Sequence, residues 1–171
     1  AVAIPEEGVE LREAGIDVPV LVLGGIEESA AQAVAQYDLT QTVFDEARIR
    51  ALSAAGEKLG RQVRLHIKLD TGMCRIGVRD EEEAMALARL IDSLPGVELD
   101  GCFTHMATAD EDERADTHRQ IARFHALCDA IERVHPQHEA PLVSNYVVNA
   151  RPMLKAEDTF HNCTNRVVFH Y

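Results

Sequence analysis

The chain is short of positive charge. Seventeen lysines and arginines stand against 29 aspartates and glutamates, a formal charge of −12 over 171 residues. That deficit argues against nucleic acid or an anionic membrane as a general partner, since both are held by a basic footprint. No apolar run approaches the roughly 20 residues of a membrane span. The opening AVAIPEEG has no charged n-region, so no signal peptide is expected. Cys74, Cys102, Cys128 and Cys163 include no CxxC pair. They read as reduced thiols of a cytoplasmic protein rather than a zinc site or disulfide frame. Gly24-Gly25 lacks the rest of a dinucleotide fingerprint, and neither a phosphate-binding P-loop nor a GxSxG nucleophile elbow is present. No linker, low-complexity tract or internal repeat interrupts the chain. With 46% hydrophobic and 27% charged residues, it has the composition of one ordinary globular domain.

Short β-rich runs alternate with helical stretches. Strands are expected at 19–25, 39–44, 63–70, 97–107 and 141–146, with another at the opening AVAI. Helices are expected at 27–36, 45–59, 80–94 and 111–134, and after AVAI over EEGVELREAG. Asp45 is a good N-cap and Gly60 a good stop for the second of these. The third opens with three acids and carries Met85, Leu87, Leu90 and Ile91 on its apolar side. Repeated βα units with short turns point to a parallel sheet covered by helices. A doubly wound sheet and a (β/α)8 barrel both fit. A full barrel needs about 250 residues. Six units at most are visible, so the expected class is α/β: an incomplete TIM-type barrel over 1–143, then a divergent tail over 144–171.

In VRLHIKLD (63–70), alternation puts Leu65, Ile67 and Leu69 toward the helices and His66, Lys68 and Asp70 inward. Lys68 and Asp70 then stand near the C-terminal end of the strand, where barrel active sites lie. The loop DTGMCRIG brings Arg75 just beyond the strand tip, with Gly72 expected to allow the sharp turn. Burial and a neighbouring guanidinium both push the proton off Lys68. A neutral amine there can be carbamylated and pair with Arg75. The plainer alternative is a structural ion pair of Asp70 with Lys68 or Arg75. Phe103, His105 and Ala107 share a face of the next strand, which places His105 at the same rim. A metal reading would recruit His105, Asp110 and Glu111, although acids are expected at a helix start in any case. His118 and His125 are expected on the surface.

The run HIKLDTGMCRIGV (66–78) resembles the alanine racemase signature Lys-x-Asp-Thr-Gly-Met-x-Arg-x-Gly, with Cys74 at the variable position. Residues 1–25 are similar to the segment joining that family's second and third barrel strands. LTQTVFDEARIRAL (39–52) resembles its fourth unit, and residues 95–111 its sixth strand and histidine-bearing loop. The resemblance implies an N-terminal (β/α)8 barrel, pyridoxal 5'-phosphate as cofactor and a small amino acid as substrate. It also implies an active site shared across a homodimer that makes D-alanine, a cell-wall precursor. Lys68 matches the lysine that is often carbamylated. Arg75 matches the arginine that meets the cofactor's phenolic oxygen and the substrate carboxylate. His105 matches the histidine beside the cofactor ring.

There are departures. Lys58, Lys68 and Lys155 are the only lysines, and none has the Lys-x-x-x-Tyr-Gly-His-Gly context of the family's Schiff-base lysine. The tyrosine that serves as opposite base belongs to a C-terminal domain without a counterpart here. Where the family shows Asn-Ser-Ala and then Arg-Pro-Gly, this chain has Ser144-Asn145-Tyr146 and Arg151-Pro152-Met153. Of these, Asn145 and Arg151 are faint echoes with too short a register between them, and Asn145 stands for a cofactor contact. The expectation is a racemase barrel fragment, inactive alone. The alternative is a non-catalytic α/β binding module or a pyridoxal-phosphate carrier relative.

Overall fold

The structure is a computed structural model that describes residues 1–108 and 115–135, and the backbone of 143–149 and 166–170. In chain order the elements are α1 (Pro5–Glu13), β1 (Leu21–Val22), α2 (Ala31–Gln36), β2 (Thr40–Val43), α3 (Glu46–Leu59) and β3 (Val63–Lys68). They continue as α4 (Glu81–Ser93), β4 (Val97–His105), α5 (Ala115–Val134), β5 (Val143–Asn149) and β6 (Arg166–His170). All six strands are parallel and lie in the order β1-β2-β3-β4-β5-β6. A doubly wound sheet reverses its order at a switch point. This sheet never reverses, so it winds one way, as a barrel does. The opening residues, expected as a strand, form no more than a parallel bridge of Val2 to Val22, extended by Gly24 N donating to Ala3 O at 3.1 Å. β6 is a strand that the sequence pattern did not single out.

Local chemistry fixes the helix ends. The Asp45 carboxylate accepts from Arg48 N at 3.0 Å, and Gly60 ends α3 at φ 66°. Asp80 caps α4 through Glu83 N at 3.1 Å, and three acids in its first turn meet the positive end of the helix dipole. Leu87 and Ile91 of α4, with Phe124, Leu127, Cys128 and Ile131 of α5, are buried in one core with Leu65, Ile67 and Leu99 of the sheet. Cys102 lies in that layer, and its thiol pKa is pushed well up by a hydrogen bond with Cys128 and by burial. Arg12 closes the N-terminal unit by donating to the carbonyls of Tyr37, Ile16, Val18 and Asp38.

Between β3 and β4 the register slips. Leu65 pairs with Leu99, but His66 pairs with Gly101, so Asp100 is passed over. This is a β-bulge. Asp100 instead meets the His66 ring, Oδ2 to Nε2, at 2.9 Å.

The backbone of α3 touches the turn before β4 without intervening side chains. A Cβ on Gly56 would stand 2.2 Å from Gly96 O and 2.7 Å from Arg61 O. Alanine would gain about 1 kcal/mol of helix propensity over glycine. Overpacking against a carbonyl that already accepts from Val63 N at 2.9 Å outweighs that gain. Gly56→Ala is therefore expected to lower stability by about 2 kcal/mol or more. Urea unfolding measures it, and a neutral or stabilised variant would contradict the contact.

Candidate active site at the β3–β4 rim

Lys68 ends β3 with only 4% of its surface exposed. Its ammonium lies 4.4 Å from the centre of the Phe103 ring, the residue paired with it across the sheet. Burial first, and then the Arg75 charge, bring its pKa down from 10.5 to about 8, against an upward pull from Asp70. Burial and a neighbouring guanidinium, the two causes expected from the sequence, both act on Lys68, and with a pKa near 8 the amine still holds its proton below that pH.

Asp70 does not pair with Lys68 or Arg75. Its Oδ1 accepts the backbone N–H of Gly72 at 3.1 Å and of Cys74 at 2.9 Å. Its Oδ2 takes Nε and Nη2 of Arg79 at 3.0 and 2.9 Å. Burial opposes ionisation of Asp70, yet these donors, Cys74 N–H foremost and then Arg79, hold its pKa below the ordinary carboxylate value. Arg79 is the residue that sequence reasoning missed. It lies nine positions from its partner, and no periodicity links the two.

The sharp turn is made elsewhere than expected. Cys74 (φ 57°) and Gly77 (φ 121°) take left-handed backbone, and Gly72 does not. A Cβ on Gly72 would instead meet the Gln120 side chain at 2.8 Å, so a close approach is what favours glycine there. The loop returns to the strand tip, where Asp70 N donates to Val78 O and Val78 N to Lys68 O, at 2.8 and 2.9 Å. Arg75 stands at its middle, exposed, with no ion pair among the described residues.

His105 closes β4, half-buried, two residues beyond Phe103 on the same face. Gln120 of α5 accepts from Ala107 N at 3.0 Å and donates to Asp116 at 2.7 Å, which ties the loop after His105 to the helix. Asn145 lies on β5 in register with Phe103. Asp110, Glu111, Arg151, Lys155 and Cys163 lie outside the described residues. Among the described residues no cluster of histidine, cysteine or acid is placed to hold a metal. His118 is exposed, and His125 is half-buried beside Phe124. β3, β4 and the 70–79 loop thus assemble an exposed guanidinium, a buried amine whose pKa is lowered to about 8 and an imidazole at one rim. Asp70, the nearby carboxylate, is already engaged. Such a rim suits an anionic ligand.

Residues 1–146 match the family model described as alanine racemase, N-terminal domain. An alanine racemase of Halothermothrix orenii is 42% identical over 134 residues, covering 78% of this chain and 35% of the relative. One from Desulfovibrio desulfuricans is 45% identical over 131 residues, covering 77% and 35%. The solved alanine racemase of Clostridium difficile 630 superposes with a TM-score of 0.83 at 28% identity, covering 98% of this chain and 42% of that one. That of E. faecalis gives 0.76 at 33% identity, covering 92% and 41%. The chain spans about a third of the length of the curated relatives it matches.

The buried ammonium carries a measurable cost. Lys68 titrates near 8 when folded and near 10.5 when unfolded. Between those values the unfolded chain binds the extra proton, so stability rises with pH across that window and is lowest below it. At about 1.4 kcal/mol per pKa unit, the cost below pH 8 is on the order of 3 kcal/mol. Lys68→Met is therefore expected to be more stable at pH 7 by about 2–3 kcal/mol in carbon-dioxide-free buffer. The gain should shrink as pH rises through the window. A pH-independent difference in denaturant unfolding, or a loss, would show that the lysine is not held this way.

Proposed function

The chain belongs to the alanine racemase family through its N-terminal domain, and from that premise we propose that it supplies the rim of a pyridoxal-phosphate-dependent racemase that reads an amino acid's carboxylate. The observation that carries this reading is Arg75, exposed and without a counter-ion among the described residues, beside a lysine driven toward neutrality. The donor set fits the cofactor's anionic ring oxygen: a permanently charged planar fork with an imidazole at the neighbouring strand end. When bound, pyridoxal phosphate supplies an electron sink that makes the α-proton of an amino acid acidic.

Arg75 would orient the substrate carboxylate and the cofactor's phenolic oxygen, and His105 would face the ring. Asn145 would add a cofactor contact from β5. A neutral Lys68 amine is nucleophilic. Adding its lone pair to carbon dioxide and releasing one proton would leave a carbamate anion that pairs with Arg75 and holds it in place. The working assembly in this proposal is a cytoplasmic homodimer acting on alanine. Residues 1–143 are its racemase-like barrel portion, and 144–171 diverge in sequence while β5 and β6 still extend the sheet.

These 171 residues are expected not to racemise alanine by themselves. Lys58 lies in the last turn of α3, the end that leads into the start of β3, and so toward the N-terminal rim of the sheet, away from Arg75. Lys68 is held against Phe103. Neither is placed as a covalent anchor for the cofactor. A chiral assay for L-alanine from D-alanine and cofactor, with borohydride trapping, checks this. Turnover above free-cofactor background, or a stoichiometric adduct at Lys68, would overturn it.

Non-covalent affinity for pyridoxal phosphate, followed by absorbance, should be weak but dependent on Arg75. Losing one charge-assisted hydrogen bond amounts to about 1.5–3 kcal/mol, so Arg75→Ala is expected to weaken binding by roughly tenfold or more. Arg75→Lys should not restore it, because an ammonium cannot span two oxygens in a plane. Wild-type affinity in Arg75→Ala would remove the basis for the reading.

A further inference from the structure

We propose that Asp70 is the positioning residue for Arg75: its carboxylate, closed by Arg79, sets where the guanidinium stands. The inference rests on the reading of Arg75 as the group that meets the anionic ligand, and it goes beyond that reading by naming what fixes the loop backbone from which Arg75 projects.

The argument is one of donors and acceptors. Among the described residues, every hydrogen bond made by residues 72–77 ends on Asp70, through Gly72 N and Cys74 N. The Cys74 amide is the one immediately before Arg75. Both reach Oδ1, which leaves Oδ2 for the fork of Arg79. Arg79 is itself anchored, because its carbonyl accepts from Arg123 of α5 at 2.9 Å. The carboxylate therefore joins the first residues of the loop to its last, and the last to a helix. Gly77 presses this arrangement onto the strand: a Cβ there would stand 3.0 Å from Asp70 N, Lys68 Cγ and Lys68 O. Four donors on two oxygens require a carboxylate. An asparagine offers one acceptor oxygen, and its amide NH2 would face the guanidinium donor to donor. Arg79 is half exposed while the Asp70 side chain is 1% exposed, so the pair is anchored from the buried side.

A ligand-independent gauge of where Arg75 stands lies next to it. The Arg75 charge contributes to lowering Lys68, whereas Arg79 is not among the causes. The chain's three lysines give three signals when labelled at Cε. In the full 171-residue chain in carbon-dioxide-free buffer, where Lys68 stays a free amine, Arg75→Ala should move the Lys68 titration up from about 8. Arg79→Gln should move it in the same direction, because the released loop lets Arg75 drift into water. The double variant should move it no further than Arg75→Ala alone. Arg79→Lys should return it partway, since one donor still reaches Oδ2. Amide exchange at Gly72 and Cys74 should quicken by about tenfold in Arg79→Gln. Asp70→Asn is the weaker probe, because removing the carboxylate charge itself lowers Lys68.

A Lys68 titration unchanged in Arg79→Gln, or shifts of Arg79→Gln and Arg75→Ala that add in full, would overturn the proposal. A merely structural pair would loosen the loop without that non-additivity. If the wild type has no affinity for pyridoxal phosphate, the functional reading falls, while the lysine titration still decides the positioning role. If it binds, Arg79→Gln should weaken binding by nearly the same factor as Arg75→Ala; wild-type affinity would count against the proposal.

Discussion

The slip at Asp100 turns the second half of β4 over relative to the first. Side chains alternate across a strand, so one extra residue exchanges the two faces. Val97 and Leu99 pack toward the helices, as do Cys102 beside Cys128, while Phe103 and His105 come to face the interior. Without the slip Phe103 would join Leu99 in the helix layer, and Lys68 would lose the ring that covers it. The passed-over residue is put to use, since Asp100 meets His66 in the interior two positions below Lys68. The inward face of β3 and β4 is thus polar at two successive levels, an imidazole with a carboxylate and then an ammonium with an aromatic ring. The outward face is apolar and closes the core.

Much of this was legible in the sequence because its cause is local. Helices α3 and α4 announce themselves through Asp45, Gly60, Asp80 and a run of acids, each acting within one turn of its own position. The β3 alternation correctly sends Lys68 inward, since both neighbours, Ile67 and Leu69, are fully buried core residues. Arg75 and Lys68 were found together because one short motif holds both. What was hidden depends on residues that meet only after folding. Asp70 finds Arg79 across a returning loop. Gly72 is small for the sake of Gln120, which arrives from α5. Alternation within 103–107 puts His105 on the face of Phe103, but the bulge that makes this compatible with an outward Leu99 leaves no periodic mark. β6 carries Val167, Val168 and Phe169, a β-compatible run without the alternation or turn residues that would set it apart.

The chain's net charge and its rim have opposite signs. An acidic surface repels an anionic ligand at long range, and salt screens that repulsion within about 10 Å at 0.1 M. The local arrangement reverses it. Asp70, the carboxylate at the base of the loop that carries Arg75, has its charge answered by Arg79 and two backbone amides. Arg75 therefore presents its charge to solvent without an internal counter-ion among the described residues. The acids of α4 sit at a helix N-terminus, where the dipole already answers them. Net charge in this molecule describes solubility and says little about what the rim binds.

Two cations placed side by side need not share the strain equally. An arginine in a folded protein keeps its proton, whereas a lysine yields its own when buried. Here the lysine is the buried member and the arginine the exposed one. Desolvation and repulsion therefore fall on the same group, and the pair resolves into one fixed charge and one amine that is half neutral near pH 8. Exchanging the residues would give a different site: a buried guanidinium that cannot discharge and an exposed ammonium with no reason to. The order Lys68 on the strand, Arg75 on the loop, is thus a chemical assignment, with the strand making the reactive amine and the loop making the permanent anion receptor.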